Sequence, residues 1–178
     1  MKLHLGCGDK RLPGFTHVDA RPMPGIDVVC DFSNGLPMFR NNSAELIYWS
    51  HGPEHILRPD TKRVFAELFR VCAPGWSLRV SVPDFNCLVD GYKMGAFTYE
   101  QTIAAMFGGQ EYSQNVHYQG WTIEELEKRL KEVGFVEFRN YDPFQVNPRG
   151  FFDYSYTKFA GILISLNVEA RKAITEAT

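Results

Sequence analysis

The 178-residue sequence has no membrane span, no basic tract and no paired-cysteine motif, and each absence removes a class of protein. No apolar run approaches the ~20 residues that a bilayer-spanning helix needs, so a membrane is not an expected partner. A strand pattern begins at Lys2, so no secretory leader is expected. Lysine and arginine total 19 against 21 aspartates and glutamates, a net charge of −2, and never more than two basic residues are adjacent. A nucleic-acid ligand calls for a basic face, so neither DNA nor RNA is expected. The four cysteines, Cys7, Cys30, Cys72 and Cys87, show no Cys-x-x-Cys spacing and lie in or beside apolar segments. That is the pattern of buried free thiols in a reducing compartment, and the expected location is cytoplasmic. Repeats and low-complexity segments are also lacking. What is present is 44% apolar residues, enough for a single domain over 1–178 and too little chain for two ordinary ones.

The most informative segment is Leu3-His4-Leu5-Gly6-Cys7-Gly8-Asp9, an apolar strand running into a glycine turn. Gly6 and Gly8 suit a backbone that turns tightly and lets a ligand come where a Cβ would clash. Asp19 closes the run Phe15-Thr16-His17-Val18, and a carboxylate at the end of a second strand can accept hydrogen bonds from both hydroxyls of a ribose. Asp31 repeats the arrangement after Asp27-Val28-Val29-Cys30, where it could meet the exocyclic amine of an adenine. Three successive strand ends thus carry the residue types of a nucleoside-cofactor site.

Further along come His51-Gly-Pro-Glu54-His55 after a fourth strand, Arg70-Val-Cys-Ala-Pro74-Gly75 between a helix and a fifth strand, and Val80-Ser-Val-Pro83-Asp84-Phe85 at that strand's end. In this order, and through to Ile164-Ser-Leu-Asn-Val-Glu169, the segments resemble the class I S-adenosylmethionine-dependent methyltransferases, in particular small bacterial members of the methyltransferase type 11 group. Departures are Trp76, where a second glycine is usual, and Gly52-Pro53, where apolar residues are usual. The resemblance implies an α/β fold: one Rossmann-like domain with a mostly parallel seven-stranded sheet and an antiparallel edge strand. It implies S-adenosylmethionine as cofactor, with Gly6 and Gly8 bordering the methionine part, Asp19 the ribose, Asp31 and Phe32 the adenine, Ser50 and His51 the wall, and Leu5, Cys7 and Ala20 as further cofactor-binding residues. It also implies a small-molecule acceptor, by analogy the hydroxyl of a sugar or small metabolite.

Strand patterns cover Lys2–Leu5, Phe15–Val18, Asp27–Cys30, Glu45–Trp49, Ser77–Val82, Phe135–Tyr141 and Gly161–Val168. Val64, Phe65, Leu68, Phe69 and Cys72 recur at helical spacing after Pro59-Asp60, and Thr122-Ile-Glu-Glu125 is a capping box that opens a helix reaching Val133 and stopping at Gly134. Strands alternating with helices argue for a parallel sheet, with the last two strands, joined without a helix, as its antiparallel edge. A parallel crossover needs a dozen or so residues, yet only nine run from Gly6 to Gly14 and eight from Asp19 to Ile26, with prolines at 13, 22 and 24. The first two crossovers are therefore shortened, and one sheet face needs another cover: the aromatic segment Phe144 to Phe159, or a second copy of the chain as a homodimer.

Methyl transfer from a sulfonium is an in-line displacement, so a protein chiefly aligns the partners and excludes water. Candidates for the acceptor side are His51 as general base, Asp84 as proton acceptor or orienting group, and His117 as a substrate contact in the loop from Gly109 to Gly120. Each has a plainer reading: His51 as cofactor wall, Asp84 as helix cap, His117 as loop packing. His51-x-x-Glu54-His55 also matches an inverted zinc-protease pattern, but Gly52 and Pro53 set His51 at or before any helix, and no third ligand stands out. No metal is expected, and Glu54 and His55 read as hydrogen-bonding groups. Two other functions fit less well. A nicotinamide oxidoreductase wants a long first crossover helix, which Cys7 to Gly14 cannot supply; a cofactor-binding module without catalysis, acting as partner or scaffold, fits the short length.

Overall fold

In the computed structural model, which describes residues 1–174, the strands are β1 (Lys2–Leu5), β2 (Thr16–Asp19), β3 (Val28–Val29), β4 (Ala44–Ser50), β5 (Cys72–Pro83), β6 (Phe135–Asn140), β7 (Lys158–Phe159), β8 (Ile162–Leu163) and β9 (Ser165–Lys172). The helices are α1 (Thr61–Val71), α2 (Phe85–Lys93), α3 (Tyr99–Phe107), α4 (Ile123–Glu132) and the short α5 (Pro143–Val146). Seven strands form one sheet in the order β3-β2-β1-β4-β5-β9-β6. β3 through β5 pair in parallel, and β9 runs antiparallel to both β5 and β6. The antiparallel strand expected at the edge therefore lies one place in, and β6 takes the edge.

The last strand also begins later than the sequence pattern suggested. Gly161, at φ +79°, belongs to the tight turn between β7 and β8, which form a separate hairpin, and the main-sheet strand starts only at Ser165. The first two crossovers carry no α-helix, as their length required. Two helices follow β5: α2, which the capping reading of Asp84 implies, and α3, which the sequence patterns above do not include. Their N-caps are Asp84, which accepts from Cys87 N–H, and Thr98, in a reciprocal capping box with Gln101.

Strand alternation divides the sheet into two unlike faces. Leu3, Leu5, Ile47, Trp49, Leu78, Val80 and Val168 point to one side and form the apolar core with Val64, Phe65 and Leu68 of α1 and Leu126 and Leu130 of α4. His4, Tyr48, Ser81, Asn167 and Glu169 point to the other, where a helix layer would ordinarily sit. There the chain segment from Tyr141 to Tyr156 lies across the sheet: Tyr48, Tyr141 and Phe151 share a core cluster, and Phe151 stands edge-on to His4 at 6.0 Å. Tyr48 Oη donates to Asp153 Oδ2 (2.8 Å), and Ser81 Oγ pairs with Tyr141 Oη (2.9 Å) and Asn167 Oδ1 (2.5 Å). Part of the expected aromatic segment thus covers the face, through Phe151 and Tyr156, while Phe144, Phe152 and Tyr154 stay exposed.

Candidate active site

At the carboxyl end of β1 the backbone enters the left-handed region twice, at Gly6 (φ +57°) and Gly8 (φ +54°). Between them Cys7 is buried, and burial pushes its thiol up to about 11, which does not suit a thiolate nucleophile. Gly8 N–H donates to Asp19 Oδ2 at 2.8 Å and Arg21 N–H to Asp19 Oδ1 at 2.9 Å, which ties the turn to the end of β2. On the other side Arg11 Nη1 donates to the carbonyls of Gly8 (2.8 Å) and Lys10 (2.7 Å). Cys30 N–H donates to Asp19 O (2.9 Å), carrying the same joint on to β3 and the exposed Asp31.

Phe32, just after Asp31, meets Trp49 edge-on at 5.5 Å. Trp49 lies close under the turn, its Nε1 3.4 Å from where a Cβ on Gly6 would stand and 1.7 Å from one on Gly52. The glycine at 52, a departure from the resembled group, is therefore a steric requirement of Trp49. Trp49 Nε1 and Ser50 Oγ are buried without a hydrogen-bond partner. The structure thus brings Gly6, Gly8, Asp19 and Phe32 together with Trp49 at adjoining strand ends, while Leu5 is sealed in the core and Ala20 is exposed. Trp49, an aromatic residue of a central strand, is fully buried in the core.

His51 adopts φ +49° directly after β4, its N–H bonded to Ser81 O at 2.9 Å. Its ring meets Ser165 Oγ through Nε2 at 2.8 Å, and that hydroxyl donates to Tyr154 O at 3.0 Å. A hydroxyl has one proton to give, so Nε2 of His51 is the donor and Nδ1 carries the lone pair. Nδ1 stands 3.3 Å from Glu54 Oε1. Glu54 is 1% exposed and neither of its carboxylate oxygens has a hydrogen-bond partner. Burial pushes the Glu54 carboxyl up to about 8 and His51 down to about 3.

His117, far along the chain, joins this group: its ring packs against that of His55 at 4.7 Å. His55 Nδ1 donates to Val116 O (3.1 Å) and His117 Nδ1 to Ala105 O (3.0 Å). Burial lowers both, and His117 reaches about 4. Gln119 Nε2 staples the two segments by reaching Pro53 O, Ile56 O and Thr61 Oγ1 at 3.0 to 3.1 Å. Beside them a cleft of about 180 Å³ is lined by Pro83, Phe85, Met106, His117 and Tyr118. Asp84 caps α2 next to this cleft with its carboxylate on Cys87 N–H (3.1 Å), as its plainer reading required. Among the sequence candidates, His51 and His117 thus flank Glu54, while Asp84 stands apart as a cap.

No family model matches this sequence, and no curated protein does. Solved structures do match the fold. A methyltransferase structure from Methanosarcina mazei aligns with 98% of this chain and 92% of its own at TM-score 0.59 and 16% identity. One from Archaeoglobus fulgidus aligns at 0.59 and 13%, covering 96% and 85%. The 1,6-didemethyltoxoflavin-N1-methyltransferase of Burkholderia thailandensis, solved with bound 1,6-didemethyltoxoflavin and S-adenosylhomocysteine, aligns at 0.58 and 17%, covering 97% and 70%. The chain has the fold of the class I S-adenosylmethionine-dependent methyltransferases. Among the described residues, no helix is long and apolar enough to cross a membrane.

Proposed function

We propose that this protein transfers the methyl group of S-adenosylmethionine to a small-molecule acceptor, a hydroxyl of a sugar or metabolite. The observation that carries the reading is the Gly6-Cys7-Gly8 turn locked to Asp19 at the carboxyl ends of β1 and β2, where open α/β sheets bind ligands. Gly6 and Gly8 would border the methionine part, Asp19 the ribose, and Asp31 and Phe32 the adenine, with Cys7 and Ala20 beside them. Ser50 and His51 would close the wall, and the buried, unpartnered Ser50 Oγ offers a polar group there. Asp19 spends part of its carboxylate on Gly8 and Arg21, which leaves lone pairs for ribose hydroxyls. The acceptor would enter from the cleft beside His117 and Tyr118.

The buried imidazole of His51 is neutral at ordinary pH and a weak base, so positioning rather than proton abstraction is the larger share of its proposed part. The test is calorimetric titration with S-adenosylmethionine, S-adenosylhomocysteine and NAD, followed by methyl-transfer assays on panels of nucleotide sugars, phenols and amines. Binding of both sulfur nucleosides with turnover supports the reading. Binding without turnover on any panel member would favour a cofactor-binding module, and binding of NAD alone would overturn it.

A further inference from the structure

The group formed by Glu54, His55 and His117 offers one ligand atom from each residue, all within 4.8 Å of one another. Three features mark it as more than a chance meeting of polar side chains. First, Glu54 is fully enclosed with both carboxylate oxygens unpartnered, a costly arrangement unless a proton or a cation compensates it. Second, each histidine gives its Nδ1 proton to a backbone carbonyl, which fixes the tautomer and leaves Nε2 as the basic nitrogen. That is how metal-ligating histidines are oriented from behind. Third, His51 turns the lone pair of Nδ1 toward Glu54 Oε1, so the neighbourhood is rich in Lewis bases and supplies no proton donor to the carboxylate.

We propose that Glu54, His55 and His117 bind a first-row transition dication, with zinc as the best match to two imidazoles and a carboxylate. Three protein ligands leave one position open in a tetrahedral site, the arrangement of zinc sites that take a water or a substrate atom. Zinc ligands at ~2.0–2.1 Å stand roughly 3.4 Å apart, so binding draws the three side chains inward. Gln119 holds the two ligand-bearing segments together. The proposal departs from the expectation of no metal, and it does not depend on the methyl-transfer reading.

The test uses the tag-free full chain, stripped with a chelator and dialysed against Zn(II), with bound metal counted by mass spectrometry and Co(II) substitution followed by visible absorption. The expected result is one ion per chain, Co(II) bands of four- or five-coordinate intensity, and a thermal transition raised by Zn(II). Glu54→Gln and His117→Ala should each weaken binding at least about 100-fold and abolish the metal-dependent rise, whereas His17→Gln, remote from the group, should not. Circular dichroism identifies any variant that has failed to fold; should Glu54→Gln do so, His55→Gln takes its place. Folded wild type with no stoichiometric ion, or folded Glu54→Gln and His117→Ala that bind as wild type does, would overturn the proposal.

Discussion

Gly8 N–H donates to the nearly buried carboxylate of Asp19 at 2.8 Å, so the glycine turn after β1 and the acidic end of β2 are one unit. Asp19→Ala removes that acceptor and the one for Arg21 N–H together. The variant should lose about 1–3 kcal/mol of stability, the cost of leaving partly buried donors unsatisfied, and should also lose measurable binding of S-adenosylhomocysteine. Urea melts and calorimetry check the two effects. Unchanged affinity in the folded variant would remove Asp19 from the site.

Glycines at two other positions separate conformational strain from steric conflict. At Gly52 an added Cβ would fall 1.7 Å from Trp49 Nε1, so Gly52→Ala should cost about 3 kcal/mol and displace the indole. At Gly14, φ +78° with nothing within 4 Å, Gly14→Ala should cost only about 1 kcal/mol. Denaturant midpoints and tryptophan fluorescence report both. Equal costs would mean that Trp49 does not pack as described.

How much of this was legible follows from the range of each interaction. The glycine turn and α4 rest on short-range signals: glycine at left-handed φ, a Thr122 cap accepting from Glu125 N–H, and apolar spacing of 3.6. α2 is announced only by the cap Asp84, and α3 is the less legible because its Thr98-x-x-Gln101 box is followed by a weak apolar stripe. The place of β9 between β5 and β6 depends on pairings such as Val80 with Val168, which no local pattern encodes. The same holds for the cluster around Glu54: His117 reaches it only because Gln119 and Tyr118, whose N–H donates to Glu54 O, fasten a distant loop there.

Glu169 gives a pH prediction. Burial alone would raise its carboxyl, but the guanidiniums of Arg79 (2.6 Å) and Arg139 (2.5 Å) outweigh that and hold it below the ordinary value of 4.5. A depressed folded pKa contributes stability that is complete above the unfolded value and is lost as pH falls through the folded one. Glu169→Gln should therefore cost about 1 kcal/mol at pH 7, since Arg139 is largely exposed and Arg79 partly so, with the gap to wild type closing below pH 4.5. Urea melts at stepped pH measure the gap. A gap that stays constant down to pH 3 would show that the ion pairs contribute nothing.

Tyr48 Oη donates to Asp153 at 2.8 Å and meets Ser155 Oγ at 3.2 Å, fixing the covering segment to the sheet. Tyr48→Phe should cost about 1–2 kcal/mol and speed amide exchange from Phe151 to Tyr156, with α4 unaffected. Exchange unchanged in that segment would show that ring packing alone holds the cover.

The most direct measurement of the central claim is calorimetric titration of the wild-type chain and of folded Asp19→Ala with S-adenosylhomocysteine. The account predicts one saturable site per wild-type chain and none in the variant. No binding to wild type, or equal binding to both, would contradict it.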